Sequence, residues 1–191
     1  NANDFNCTLF IGSLPYLTSS YDFTTPKKLK VNSETLNEEI ISISWKSFQK
    51  GIGKFKSLEL SQLSGLLNSS SYQAVSVQYG DVMNEVLNYN NSENNKKIKV
   101  YEDIDLNSDL LGIFKIINRS KYVITTCNIT AHISGNLGKE TYLLAPYHKG
   151  KIWYWHTRKN TCPWYPNIKI YNCDKNNSWL DALKKIQMDI S

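Results

Sequence analysis

The sequence lacks the features of three common classes of protein: membrane-spanning, secreted and dinucleotide-binding proteins. No apolar run approaches the ~18 residues of a membrane-spanning helix, so none is predicted. The chain begins at Asn1, with neither Met nor a charged-then-apolar leader. We therefore expect no signal peptide, and we expect the chain to be a piece of a longer protein. No GxGxxG follows the first predicted strand, which argues against an NAD or FAD dehydrogenase.

Metal-binding and nucleophile motifs are also missing. No two of the four cysteines have CxxC spacing, and the three histidines complete no zinc pattern. The sequence therefore predicts no metal site, and free thiols in a reducing cytoplasm, at Cys7, Cys127, Cys162 and Cys173. No Ser-His-Asp or HExxH arrangement is present. A Cys127 nucleophile is disfavoured, because Cys127 ends a predicted buried strand, where a small buried thiol is common.

What the sequence does contain is an alternation of strand and helix patterns. Short apolar runs predict strands over residues 39–45, 73–78, 98–101, 122–126, 141–145 and 168–171. Helical patterns lie over residues 57–68, 81–87, 108–118, 128–138 and 178–188, with residues 88–97 as a polar surface loop and Ser108 as a helix cap. This alternation predicts an α/β fold with a Rossmann-like, doubly wound parallel sheet over residues 34–191. Residues 1–33, with a short strand at 7–11, are predicted to be the tail of a preceding domain and a linker.

The organising stretch is KYVITTCNITAHISGNLG, residues 121–138. It predicts a buried strand followed directly by a helix with Asn128 as its N-cap. Such a junction places free N–H groups at the carboxyl end of a sheet, a common position for a phosphate. Thr130 would add a hydroxyl there and His132 an imidazole. The alternative is an ordinary strand-turn-helix with a capping Asn.

Four segments should meet at the carboxyl edge of this sheet. They are the lysine-rich loop after Trp45, the turn after Gln78, the stretch 128–132, and an aromatic segment that starts at Pro146. Lysines beside a helix N-terminus can bind a diphosphate, and aromatic rings can stack on a base or a sugar. The alternatives are that the lysines are solvated and that the tryptophans pack the core. The net charge of +5 suits an anionic ligand without requiring one.

Together these residues resemble a specific family. VITTCNITAHISGNLGKETYLLAP is similar to a pattern typical of tetratricopeptide-linked bacterial glycosyltransferases. Those proteins are similar to ADP-heptose:lipopolysaccharide heptosyltransferases and, more distantly, to O-GlcNAc transferases. The resemblance continues in order through IISISWKS, KFKSLELSQL, VSVQYG, IDLNSDLLGIFKII, WYW and PWYPNIKIY, and covers nearly the whole chain.

The resemblance implies a metal-independent glycosyltransferase of GT-B type, hexosyl- or heptosyl-transferring. This chain would be its carboxyl-terminal half, which binds the nucleoside-diphosphate sugar as substrate and needs no cofactor. The donor diphosphate would lie at Lys56, Ser57, Asn128, Ile129, Thr130 and His132. The nucleotide or sugar would lie near Trp45, Gln78, Trp153, Trp155 and Trp164. His132 is the candidate catalytic residue in this half, although the base is expected in the other domain.

The implied partners are an amino-terminal domain, possible tetratricopeptide repeats of the parent chain, and a protein, lipid or glycan acceptor. Many relatives carry Asp at the position of Cys127. That difference motivates an alternative, a nucleotide- or sugar-binding domain without activity. A third hypothesis, a nucleic-acid-binding domain, is suggested by basic charge and aromatic residues. It is the weakest of the three because the lysines are scattered along the sequence.

Overall fold

A six-stranded sheet with helices on both faces forms the fold. The computed structural model of the chain describes residues 39–152, 155 and 161–190. Spatial strand order is β2-β1-β3-β4-β6-β5, and the first five strands in this order are parallel. The strands are β1 Ile40–Ser44, β2 Gln73–Ser76, β3 Val123–Thr126, β4 Thr141–Ala145, β5 Thr161–Cys162 and β6 Tyr165–Asn172. The predicted Rossmann-like α/β fold is confirmed.

Within the described residues, five α-helices connect or flank these strands. They are α1 Ser64–Ser69, α2 Met83–Asn91, α3 Leu110–Arg119, α4 Ile129–Leu137 and α5 Leu180–Ile190. Two short 3₁₀ helices, Gly53–Lys56 and Leu60–Leu63, lie in the long connection between β1 and α1. Helix α1 therefore begins at Ser64, later than residue 57, where the sequence predicted that a helix begins.

Alternating strand residues divide the core between the two faces of the sheet, as the pleat requires. Ile41 and Ile43 pack with α1, α2 and α5 on one face. Ile40 packs with α3 and α4 on the other face. Because the central strands are covered on both faces, every residue of β1, β3 and β4 is buried.

Two strand predictions need correction. Residues 98–101 form no strand, and only an isolated bridge joins Lys99 to Val75. The backbone of Lys99 makes two hydrogen bonds to the edge of β2, with Ala74 and Ser76, and an isolated bridge is all that these form. The sheet is also not wholly parallel, because β5 pairs antiparallel with β6. That hairpin makes β6 longer than the predicted 168–171, and the two-residue β5 is too short to give a sequence pattern.

Two helix predictions also need correction. Helix α2 continues to Asn91, so the polar loop begins later than residue 88. Helix α3 is capped by Asp109, whose carboxylate accepts a hydrogen bond from the Gly112 N–H at 2.8 Å. Ser108 instead donates its hydroxyl to Asp105. An ionised carboxylate is the stronger acceptor at a helix N-terminus, so Asp109 takes the cap position.

The predicted boundary at residue 34, the strand at 7–11 and Cys7 all lie outside the described residues, so they stay predictions. In the described part of the chain, every helix is too short or too polar to cross a membrane.

Candidate functional site

The loop that follows β1 is fixed by one side chain, that of Gln78. The Gln78 amide oxygen accepts from the Trp45 N–H at 2.8 Å, the Lys46 N–H at 2.7 Å and the Ser44 hydroxyl at 3.0 Å. Its amide nitrogen donates to the carbonyls of Lys46 and Tyr79. Gln78 is 2% exposed. Its side chain therefore builds the edge of the site, and any contact with a nucleotide would involve the backbone around it.

Asn128 holds the same loop from the other side. Its side-chain oxygen accepts from the Thr130 N–H at 2.9 Å, which confirms the predicted N-cap of α4. Its amide nitrogen donates to the Ser44 hydroxyl at 2.7 Å and to the Lys46 carbonyl at 3.0 Å. Two amide side chains, from the ends of different elements, thus join the ends of β1, β2 and β3 at one edge.

The N-terminus of α4 offers fewer free donors than the sequence suggested. Asn128 satisfies the Thr130 N–H with its side chain and the Ala131 N–H with its carbonyl. Within the described residues, the Ile129 N–H is the group of this turn that has no protein acceptor. Thr130 is 1% exposed, so its hydroxyl is not at the surface. An anion at this edge would therefore depend more on side-chain cations.

Lys56 is the cation best placed for that role. It ends the 3₁₀ helix Gly53–Lys56 and is only 2% exposed, yet its ammonium donates to Gln49 Oε1 at 2.6 Å. Burial lowers the pKa of Lys56. No acidic side chain in the described part of the chain pairs with it. A buried ammonium without a carboxylate is costly, and such a group is a marker of a functional site.

Cys127 is the ionisable neighbour of Lys56. It directly follows β3, is 3% exposed, and burial raises its pKa to about 12. The thiol is therefore uncharged near neutral pH and cannot balance the Lys56 ammonium. As predicted, Cys127 is a buried free thiol, and Cys162 and Cys173 are also free and buried.

Ser57 has a structural contact in the same loop. Its hydroxyl accepts from the Ser47 N–H at 2.9 Å and donates to the Gly53 carbonyl at 2.8 Å. Gly53 is required here, because a Cβ at this position would lie 2.2 Å from the Ser47 carbonyl oxygen. Ser57 therefore closes the loop that carries Lys56, and its predicted contact with a phosphate stays a prediction.

His132 lies against two aromatic rings. Its centroid is 4.8 Å from that of Trp155 and 5.8 Å from that of Tyr165, and its Nδ1 is 3.2 Å from the Tyr165 hydroxyl. Gly135 lets Tyr165 lie this close to α4, because a Cβ there would be 2.5 Å from the Tyr165 ring. These contacts fix the imidazole one turn into α4. Its catalytic role stays a prediction.

We predict that His132 makes the stability of the chain pH-dependent. Burial lowers the pKa of His132. Below the unfolded value of about 6.5, the unfolded chain takes up a proton that the folded chain does not, so the free energy of unfolding should decrease. Urea unfolding should be measured between about pH 7.5 and pH 5 for the unsubstituted chain and for His132→Gln. The free energy of unfolding should decrease less in His132→Gln as the pH falls. His148→Gln removes an exposed imidazole and is the matched control. An equal change in the control would contradict the assignment to His132.

The predicted tryptophans differ in placement. Trp45 and Trp155 are 0% exposed, so both rings belong to the core. Trp164 is partly buried against the cluster that contains Trp155. Trp153 lies outside the described residues.

A cavity of about 200 Å³ opens beside the end of β2. Its wall combines the turn at Gly80 with residues 100–107, and the Gly80 N–H donates to Asn107 Oδ1 at 2.9 Å. Gly80 has φ +85°, and a Cβ there would lie 2.3 Å from the Phe48 ring. Apolar side chains such as Val100 and polar groups such as Asp81 share the lining. No local sequence pattern predicts this contact of Asn107, because Asn107 lies 27 residues from Gly80.

A second cavity, of about 450 Å³, includes Lys46, Glu59 and Glu85. Glu85 accepts from the Trp45 indole at 3.0 Å and the Leu60 N–H at 2.9 Å, and pairs with Lys46 at 2.8 Å. Burial raises the pKa of Glu85, but these donors outweigh it and hold the pKa below its usual range. With its charge paired, Glu85 supports the loop.

No three His, Cys, Asp or Glu side chains of the described ranges lie close enough together to hold a metal ion.

Comparison with known proteins gives structural matches only. No protein-family model and no curated protein sequence matches the chain. The fold is similar to that of the E. coli heptosyltransferase WaaC with ADP, with TM-score 0.56 and 15% identity over 84% of this chain and 47% of that chain. It is similarly close to WaaC with ADP-2-deoxy-2-fluoro heptose, with TM-score 0.55, 15% identity and coverage of 84% and 46%.

A third similar structure is a glycosyl transferase family 9 protein from Veillonella parvula. Its TM-score is 0.52 at 11% identity, over 91% of this chain and 42% of that chain. The chain thus spans less than half the length of the solved structures it matches. At these identities the likeness shows a shared fold.

Proposed function

We propose that the chain is the donor-binding part of a glycosyltransferase and that it binds a nucleoside-diphosphate sugar. The observation that carries this proposal is Lys56, a buried ammonium without a carboxylate, at the carboxyl edge of a parallel sheet and close to the start of α4. A diphosphate would supply the missing negative charge. The structural neighbours include a heptosyltransferase solved with ADP and with a fluorinated ADP-heptose, which supports this ligand class.

In this proposal the diphosphate replaces Gln49 at the Lys56 ammonium. Gln49 is exposed, so its amide can swing into solvent when the anion arrives. The Ile129 N–H and the positive end of the α4 dipole would add to the attraction. The nucleoside would occupy the cavity beside Gly80, which lies at the same edge and whose mixed lining includes apolar side chains such as Val100 and Ile104 for a base.

Sugar transfer would then be a displacement at the anomeric carbon of the donor. The bond from this carbon to the diphosphate oxygen breaks as the bond to the acceptor oxygen forms. The acceptor proton would pass to a base in another part of the parent protein. The contribution of this chain would be to stabilise the charge that develops on the leaving diphosphate, through Lys56 and the α4 N-terminus.

The test is calorimetric titration of the 191-residue chain with ADP, GDP and UDP, beside the corresponding monophosphates. We expect one diphosphate to bind and its monophosphate to bind about tenfold more weakly, because the phosphate nearer Lys56 is lost. A titration with single-stranded oligonucleotides over a range of salt concentrations tests the nucleic-acid hypothesis. Binding to single strands without binding to any nucleoside diphosphate would overturn the proposal.

The alternative, a binding domain without activity, is favoured by Cys127, because relatives with the resembling motif often carry Asp at this position. Diphosphate binding alone does not separate the two possibilities. Release of the nucleoside diphosphate from a bound donor by the full-length parent separates them. A parent that binds the donor and never releases a diphosphate in the presence of candidate acceptors would support the alternative.

A further inference from the structure

Two loops bring three lysines together at the carboxyl edge. The ammonium groups of Lys54 and Lys149 lie 5.2 Å and 5.4 Å from the centroid of the Phe55 ring. The loop that contains Lys149 also lies on Lys56, since a Cβ at Gly150 would be 3.0 Å from Lys56 Cγ. The lysines that are scattered in the sequence are therefore clustered in the fold. Lys54 and Lys149 are exposed, whereas Lys56 is buried and interacts electrostatically with Cys127.

Within the described residues, no carboxylate balances the positive charge of this cluster. The segments 40–58 and 141–173 contain no Asp or Glu. No acidic side chain of the described residues pairs with Lys54, Lys56 or Lys149. Elsewhere in the fold lysines do have such partners, because Lys46 pairs with Glu85 at 2.8 Å and Lys169 with Glu140 at 3.0 Å.

One diphosphate at Lys56 would balance only part of the positive charge of these three lysines. Lys56 is buried close to the start of α4, where the proposed function puts the diphosphate. Lys54 and Lys149 are at the exposed rim of the same cluster, within reach of a group that projects from the diphosphate. In a nucleoside-diphosphate sugar that group is the sugar. Cys127, which is uncharged, adds no carboxylate that would repel an anionic sugar here.

We propose that the donor sugar is acidic, a hexuronate or a similar sugar acid, and that Lys54 and Lys149 bind its carboxylate. This proposal rests on the proposed function, because it uses the diphosphate at Lys56 to position the sugar. Both ammonium groups lie against the same ring, that of Phe55, on an exposed surface. Charge-assisted hydrogen bonds from ammonium groups to a carboxylate are strong and specific. A neutral hexose would leave both lysines without a partner.

The experiment compares matched donors on the 191-residue chain. Calorimetry measures the affinity of each hexose donor and its hexuronate: UDP-glucose with UDP-glucuronate, GDP-mannose with GDP-mannuronate, and ADP-glucose with ADP-glucuronate. For the base that binds, we expect the hexuronate to bind about tenfold more tightly than the hexose. The double variant Lys54→Gln/Lys149→Gln should bring this ratio close to one while the affinity for the hexose changes little.

The matched control is Lys115→Gln/Lys184→Gln, which removes the same charge from the exposed sides of α3 and α5. It should keep the preference for the hexuronate. Equal binding of hexose and hexuronate, or an equal loss of preference in the control, would overturn the acidic-sugar proposal and leave the proposed function intact. Absence of binding by all six donors and their free diphosphates would instead overturn the proposed function itself.

Discussion

Replacing Lys56 by Met should weaken nucleoside-diphosphate binding by about 1–2 kcal/mol, about 5- to 30-fold in affinity, without lowering the free energy of unfolding. Met keeps an unbranched apolar side chain in contact with Gly150 and removes only the ammonium. Because that ammonium is buried without a carboxylate, its removal should leave the fold unchanged or stabilise it by about 1 kcal/mol. Calorimetry with the preferred diphosphate and urea unfolding measure the two effects.

The direction of the two effects together makes this test specific. A lysine that only packs the loop would lose stability on substitution and keep its ligand affinity. Lys115→Met, at an exposed position of α3, is the control and should change neither quantity by a measurable amount. Unchanged affinity in Lys56→Met with a lower free energy of unfolding would show that Lys56 is structural and would remove the main support for the diphosphate site.

The parts of the fold that the sequence predicted well are those with strong local signals. β3 and α4 follow from a β-branched run, an Asn that caps the helix and Gly138, which ends it with φ +68°. The order in which such units follow each other was enough to predict a parallel sheet. The hairpin of β5 and β6 was missed, because β5 has two residues and its pairing depends on the tertiary structure.

The sequence predicted some parts of the candidate site, but not the contacts that build it, and its role in binding stays a prediction. The carboxyl edge of the sheet, Asn128 and Lys56 were all identified from the sequence. Gly150 and Lys149 reach Lys56 and Phe55 from a loop that is distant in the sequence, and no local pattern indicates such contacts.

The sequence indicated a role in nucleotide binding for Gln78, but in the structure its side chain holds the loop after β1. The sequence selected it because it follows β2 at the edge where a nucleotide would bind. In the structure its side chain is buried and saturated by five hydrogen bonds to Ser44, Trp45, Lys46 and Tyr79. It therefore determines the path of the chain from β1 into the loop that carries Lys56.

The largest loss of stability should accordingly come from Gln78→Met, at about 3 kcal/mol in urea unfolding. Met fills a similar volume but leaves the N–H groups of Trp45 and Lys46 without their acceptor, and buried unpaired donors are costly.

Gln62→Met is the matched control. Gln62 is exposed and accepts only from the Glu59 N–H, at 2.9 Å, in a capping box, so its loss should cost about 0.5–1 kcal/mol. Because Gln78 positions the loop of Lys56, Gln78→Met should also weaken diphosphate binding, whereas Gln62→Met should leave it unchanged. A Gln78→Met protein as stable as the Gln62 variant would mean that other contacts hold the loop. A Gln78→Met protein that is less stable but binds the diphosphate with full affinity would show that the loop after β1 is not part of the binding site. The ligand would then have to bind elsewhere than at Lys56.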